Sequence, residues 1–153
     1  MSDAPQTRLL FVATVEVGAP VDGGATALGR RRYVPITGGR FAGPALSGVI
    51  LPGGADWQLI RADGVAEIAA RYVLQADDGS LLTVNSNGFR HGPPEVMAAL
   101  ASGVPVDPAT YYFRTAITFE VAGEAHAWLD RTVCFALGAR RAAQVELAFH
   151  ALL

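Results

Sequence analysis

The chain has 153 residues, 51% hydrophobic and 17% charged, which suits one domain with a real core and excludes disorder. Its net charge of −2 leaves no electrostatic footprint for nucleic acid or an anionic membrane surface. All 12 basic residues are arginine, which excludes Schiff-base chemistry and a P-loop lysine.

Met1 to Thr7 is polar, lacks an apolar signal core and reads as disordered. Leu9–Val17 is β-rich, too short to span a bilayer, and ends at Gly18-Ala19-Pro20. A cytoplasmic location is the resulting expectation. Asp22-Gly23-Gly24 reads as a loop. Arg31–Ile36 alternates and runs into Thr37-Gly38-Gly39-Arg40-Phe41. Leu46–Leu51 reads as a strand broken by Pro52-Gly53-Gly54, with Asp56–Arg61 following. Val65–Gln75 and Leu81–Asn87 flank Asp77-Asp78-Gly79-Ser80, a strong hairpin signal. Pro93–Gly103 has proline at its start and glycine past its end, the order expected of a short helix. Tyr111–Val121, Ala127–Leu137 and Gln144–Leu152 complete the strands. The single cysteine, Cys134, lies in one of them and reads as a buried, inert thiol.

Short strands with closely spaced turns indicate a sandwich or a closed barrel. Glycines in or beside strands, from Gly38 to Gly88, favour the barrel, where they serve bends and corners. The expected fold is therefore all-β: one domain over 1–153, a closed or nearly closed antiparallel barrel of about eight strands with one short helix.

Several segments carry a family likeness. They are Pro35 to Pro44, Gly48 to Trp57, Arg61 to Gly64, Ala70-Arg71-Tyr72, Asp78-Gly79, Tyr112 to Thr115 and Trp128-Leu129. Together they resemble the bacterial and fungal family called domain of unknown function 3237, over roughly Leu9 to Leu152. The resemblance implies a small calycin-like barrel, often paired as a homodimer. It implies no agreed activity and no catalytic residues, so the site is argued from chemistry.

Asp56 follows the Gly53-Gly54 bend. Buried beside Trp57, it would serve as a general acid or base; alternatively it caps its own turn. Trp57 reads as core or as a pocket wall for a flat ligand. Arg71 sits among alanines and aliphatics and needs an acidic partner or an anionic ligand if buried. Tyr72 lies on the opposite strand face. A two-residue Asp78-Gly79 loop would set it opposite Asn85; a one-residue slip would exchange the two faces. Tyr112 and Arg114 share a face and could hold an oxyanion, or stack on one another at the surface. His91 reads as part of a loop over the barrel mouth, or as plain surface. Trp128 reads as core or as a pocket wall.

The leading functional expectation is a cofactor-independent, metal-free enzyme of isomerase, cyclase or lyase type. It would move protons on a small carbonyl-bearing or aromatic compound. Asp56, Arg71, Tyr112 and Arg114 would be catalytic; Trp57, Tyr72, Asn85, His91 and Trp128 would bind the ligand. The alternative is a non-catalytic small-molecule binder. The expected partners are a small molecule and a second copy, not nucleic acid or membrane.

Overall fold

The protein is described from a computed structural model covering residues 3–153. In chain order its strands are β1 Thr7–Val17, β2 Val21–Thr26, β3 Gly29–Ala42, β4 Gly48–Ile50, β5 Gly54–Ile60, β6 Ala66–Ala76 and β7 Leu81–His91. Helix α1 Pro94–Ala101 follows, then β8 Tyr112–Val121, β9 Cys134–Arg140 and β10 Gln144–Leu152. Two 3-10 turns, Pro108–Thr110 and Ala127–Arg131, flank β8.

The sheet runs β1-β10-β9-β8-β7-β6, crosses β4 and β5 to β3, and closes where β3 pairs with β1. β4 and β5 pair with different halves of both β3 and β6. The two short strands thus share one position of an eight-stranded antiparallel barrel. β2 continues the wall past β1 by pairing with the first part of β3. Closure leaves few unpaired edges. Among the described residues, no helix is long and apolar enough to cross a membrane.

The interior changes character along its axis. β7 points Leu82, Val84, Ser86 and Arg90 inward, from apolar to charged. At the apolar end four phenylalanines fill the lumen. Phe11 and Phe149 stack at 4.5 Å, Phe41 lies 4.9 Å from Phe11, and Phe119 lies 6.1 Å from Phe149. Leu129, 1% exposed, seals this end from its 3-10 turn. Cys134 is buried nearby, and burial pushes its thiol up, away from reactivity. The other end stays hollow.

Several elements differ from the sequence reading. Asp22-Gly23-Gly24 belongs to β2 and is a bulge, closed by the Gly24 N–H donating to Asp22 Oδ1 at 2.9 Å. β3 continues through Thr37–Phe41, because β1 keeps pairing with it as far as Ala42. Leu46–Leu51 shrinks to β4. Ala127–Arg131 is a 3-10 turn, since its Leu129 must drop onto the core; only Cys134 onward forms a strand. β7 extends to His91, which pairs with Tyr112, so His91 is not in a loop. Met1 and Ser2 of the segment expected to be disordered lie outside the described residues. Thr7, however, pairs with Leu152, and the Leu153 N–H donates to the Gln6 carbonyl at 2.8 Å.

The β6–β7 connection decides which faces look inward. Three residues, Asp77-Asp78-Gly79, make the loop, with Gly79 at φ +89°. A type I turn followed by a left-handed glycine adds one residue to the loop. Tyr72 therefore pairs with Val84, and Arg71 with Asn85. Tyr72 points into the lumen; Arg71 and Asn85 do not.

Candidate active site

The Gly53-Gly54 bend builds the site's centre. Gly53 adopts φ +112°, a conformation that favours glycine. At Gly54 an added Cβ would lie 2.5 Å from the Tyr72 Cβ, so only glycine lets β5 approach β6 this closely. Two residues on, strand alternation turns Asp56 inward and Trp57 outward. The β5–β6 register has no pair between Asp56↔Ala70 and Leu59↔Glu67. The Ala69 N–H inside this gap donates to Asp56 Oδ1 at 3.0 Å. Gln58 Nε2 donates to Asp56 Oδ2 at 2.7 Å. Asp56 thus caps a neighbouring strand rather than its own turn. Burial pushes its carboxyl above the usual carboxylate range, against those two hydrogen bonds and the more distant Arg90 and Arg32.

Around Asp56 lies a cavity of about 630 Å³, a size suited to a small organic molecule. Val15, Val34, Ile36, Ile68 and Leu147 make its apolar wall. Tyr72, Gln58, Ser86 and Thr115 supply polar groups, each at most 4% exposed. The Tyr72 hydroxyl, Gln58 Oε1 and Thr115 Oγ1 have no hydrogen-bond partner. Burial, then the nearby Asp56, holds the Tyr72 hydroxyl above its ordinary range, so it stays protonated.

Arginines near one end of three strands line the cavity: Arg32 on β3, Arg90 on β7 and Arg140 on β9. Arg90 is 3% exposed. Its guanidinium lies 5.3 Å from the Phe113 ring centroid. That ring rests on Gly138, where an added Cβ would fall 2.7 Å from ring carbons. Burial, with Arg140 nearby, pushes Arg90 down to about 10; Arg140 is lowered by burial and Arg32. The Arg140 N–H donates to the Tyr111 hydroxyl at 2.9 Å, which fixes this end of β9. Asp22, Arg30, Arg31 and Arg141 also line this cavity; there Asp22 pairs with Arg30, and Arg141 lies 3.3 Å from Glu146.

Of the residues nominated from sequence, the cavity gathers Asp56 and Tyr72. The others lie elsewhere, for reasons of strand parity. Arg71 is 63% exposed and sits 3.7 Å from Glu120 on the outer face. Asn85 shares that face, opposite Arg71. Trp57 is half exposed and packs edge-on against Tyr33 at 5.4 Å. Tyr112 is exposed and stacks on His91 at 4.9 Å; Arg114 lies over the same ring at 5.6 Å. These three form an outer-wall stack instead of an oxyanion holder. Trp128, in the turn that seals the apolar end, has Arg8 over its ring at 5.3 Å. Sequence reasoning missed Arg32, Gln58, Ser86, Arg90, Thr115 and Arg140. A signal existed for four of them: Arg32, Ser86, Arg90 and Thr115 share parity with the larger apolar residues of their strands, as Arg32 does with Val34 and Ile36, whereas Gln58 and Arg140 do not. Among the described residues no cluster of three or more His, Cys, Asp or Glu could hold a metal.

The family model described as "Protein of unknown function (DUF3237)" matches residues 5–152. The chain belongs to that family. The UPF0311 protein of Rhodopseudomonas palustris strain TIE-1 is 37% identical over 153 residues, with all of both chains covered. The UPF0311 protein of Clostridium acetobutylicum is 37% identical over 142 residues, covering 92% of this chain and 90% of that one. Among solved structures, a conserved protein of unknown function from Rhodopseudomonas palustris superposes with TM-score 0.94 at 37% identity, both chains fully covered. A β-barrel-like protein from Acinetobacter baumannii gives 0.87 at 37% identity, covering 100% and 99%. An enzyme from Penicillium herquei gives 0.75 at 19% identity, covering 100% and 98%. That last likeness shows the DUF3237 fold alone.

Two mutations probe this DUF3237 barrel at once. Gly138→Val displaces the Phe113 ring and, with it, the Arg90 guanidinium it carries. We expect ligand affinity to fall at least tenfold and stability to drop by about 1–3 kcal/mol, the usual cost of overpacking, read by calorimetric titration and thermal melting. Arg71→Gln breaks only an exposed pair, worth about 0–1 kcal/mol. Its binding and melting curves are expected to overlay those of the parent protein; a tenfold loss of binding would return Arg71 to the site.

Proposed function

We propose that the protein is a cofactor-independent enzyme that moves a proton on a small carbonyl-bearing compound held in the barrel. The observation that carries this reading is one juxtaposition. A half-buried carboxyl whose pKa desolvation raises faces a cavity that also holds an unpartnered, un-ionised tyrosine hydroxyl. Environments that set two titratable groups apart in this way suit acid–base chemistry. Asp56 takes a proton from carbon next to the carbonyl. The C–H electron pair moves into a C=C bond and the carbonyl oxygen becomes an enolate. The Tyr72 O–H donates to that oxygen, and Arg90 lends positive charge. Asp56 then returns the proton to carbon, at the same position or a conjugated one.

The test is hydrogen exchange in deuterated water, followed by NMR, on a panel of aryl ketones and 2-oxo acids. The protein is expected to exchange the hydrogen beside the carbonyl of at least one member, and Asp56→Asn to leave only the buffer rate. A panel that binds without exchanging would make the protein a non-catalytic binder.

A further inference from the structure

The charges inside the barrel do not balance. Six arginines and two carboxylates, Asp22 and Asp56, line the cavity. Arg30 pairs with Asp22, Arg141 with Glu146, and Arg31 donates to the Trp57 carbonyl, which leaves Arg32, Arg90 and Arg140 facing the single carboxyl of Asp56. Burial favours that carboxyl's neutral form. None of the three arginines makes an ion pair within 4.0 Å among the described residues, although other arginines of the chain do. Arg90 is almost wholly buried, and its Nε, like that of Arg32, has no hydrogen-bond partner. Buried cations are costly unless paired, so unpaired ones gathered around a void call for an anion to fill it. The placement adds direction. The arginines sit on the mouth side of the cavity, while Tyr72, opposite Val84, lies toward the phenylalanine plug.

We propose that the substrate is an organic carboxylate, its carboxyl group gripped by Arg32, Arg90 and Arg140 toward the mouth and its carbonyl-bearing body reaching inward to Asp56 and Tyr72. Guanidinium forks match a carboxylate in two-point geometry. Arg90, lying over Phe113, would meet the ligand with little rearrangement. Val34, Ile68 and Leu147 would pack the body of the molecule. The assignment names the substrate class of the enzyme proposed above, and its test is separable from the test of catalysis.

The probe is 2-naphthoate, which has no hydrogen that can enolise, titrated calorimetrically against its neutral partner 2-naphthamide. The expected result is that the acid binds at least tenfold more tightly than the amide, and that added salt weakens only the acid. Arg90→Met and Arg140→Met, checked for folding by circular dichroism, should each weaken the acid about 10- to 100-fold, the worth of a charge-assisted hydrogen bond. They should leave the amide alone. Arg32→Met serves should either variant fail to fold. The proposal is overturned if the amide binds within twofold of the acid, if neither binds, or if the arginine variants leave acid binding unchanged. Naphthoate binding without exchange on any ketone would sink the catalytic reading and keep the anion site; Asp56-dependent exchange with equal binding of acid and amide would do the opposite.

Discussion

Asp56→Asn is expected to cut turnover by about 10²- to 10⁴-fold, the usual contribution of a positioned general base, and to make the protein more stable at neutral pH. The first effect follows from losing the carboxyl at the centre of the cavity; Asp22, which also lines it, is held by Arg30. The second follows from linkage. Burial holds the folded-state pKa of Asp56 above its unfolded value. The folded protein therefore binds that proton more tightly, and stability falls as pH rises from the unfolded value through the folded one. Above that window the buried carboxylate is a standing cost. An asparagine removes it and keeps the geometry: its Oδ1 can accept from Ala69, and Gln58 can turn its amide so that the partnerless Oε1 accepts from the new Nδ2. We expect a Tm gain of roughly 2–4 °C at pH 7, what about 1 kcal/mol gives in a chain this long, shrinking toward zero near pH 4. In the parent protein, the proposed activity should fail on the acid side through the same raised pKa, above ordinary aspartate. A variant that loses activity but melts earlier at pH 7 would mean that Asp56 is chiefly a structural cap.

Phe11→Ala is the second large effect, at the other end of the barrel. Phe11 is fully buried and touches three aromatic neighbours, Phe41, Phe119 and Phe149. Its pocket is walled by strands from both sides of the closure, so the cavity left by truncation cannot collapse. The expected loss is about 3–5 kcal/mol, or roughly 10 °C of Tm, measured by urea and thermal unfolding. Because the plug is separate from the cavity, naphthoate affinity at low temperature should stay within about twofold. A loss under about 1 kcal/mol would show that the aromatic plug does not hold the barrel shut.

Much of this protein was readable before folding. The Gly53-Gly54 bend, the Asp-Gly hairpin, the helix after Pro93 and the final strand all appear where local signals put them. Asp56 was readable as well, because a glycine pair followed by an acid and a tryptophan is hard to explain without a use. The arginine trio was not. Arg32, Arg90 and Arg140 lie 50 or more residues apart on three strands, and none is unusual in its own segment. Arg71 drew attention because alanines surround it, yet its face also carries Glu67, which marks it as outer. Tyr112 and Arg114 do sit together, but on the outer wall.

By itself, the sequence determined the strands, the turns and the two-residue period that sorts each strand's side chains into two sets. Only the tertiary structure decided which set became the lumen. That choice rests on closure and on one extra residue in the Asp77-Asp78-Gly79 loop, which shifted β7 by one position against β6 and sent Tyr72 inward while Asn85 stayed out with Arg71. A period of two is a property of the single chain; its phase belongs to the pairing between strands, and so does the gathering of three distant arginines around one carboxyl.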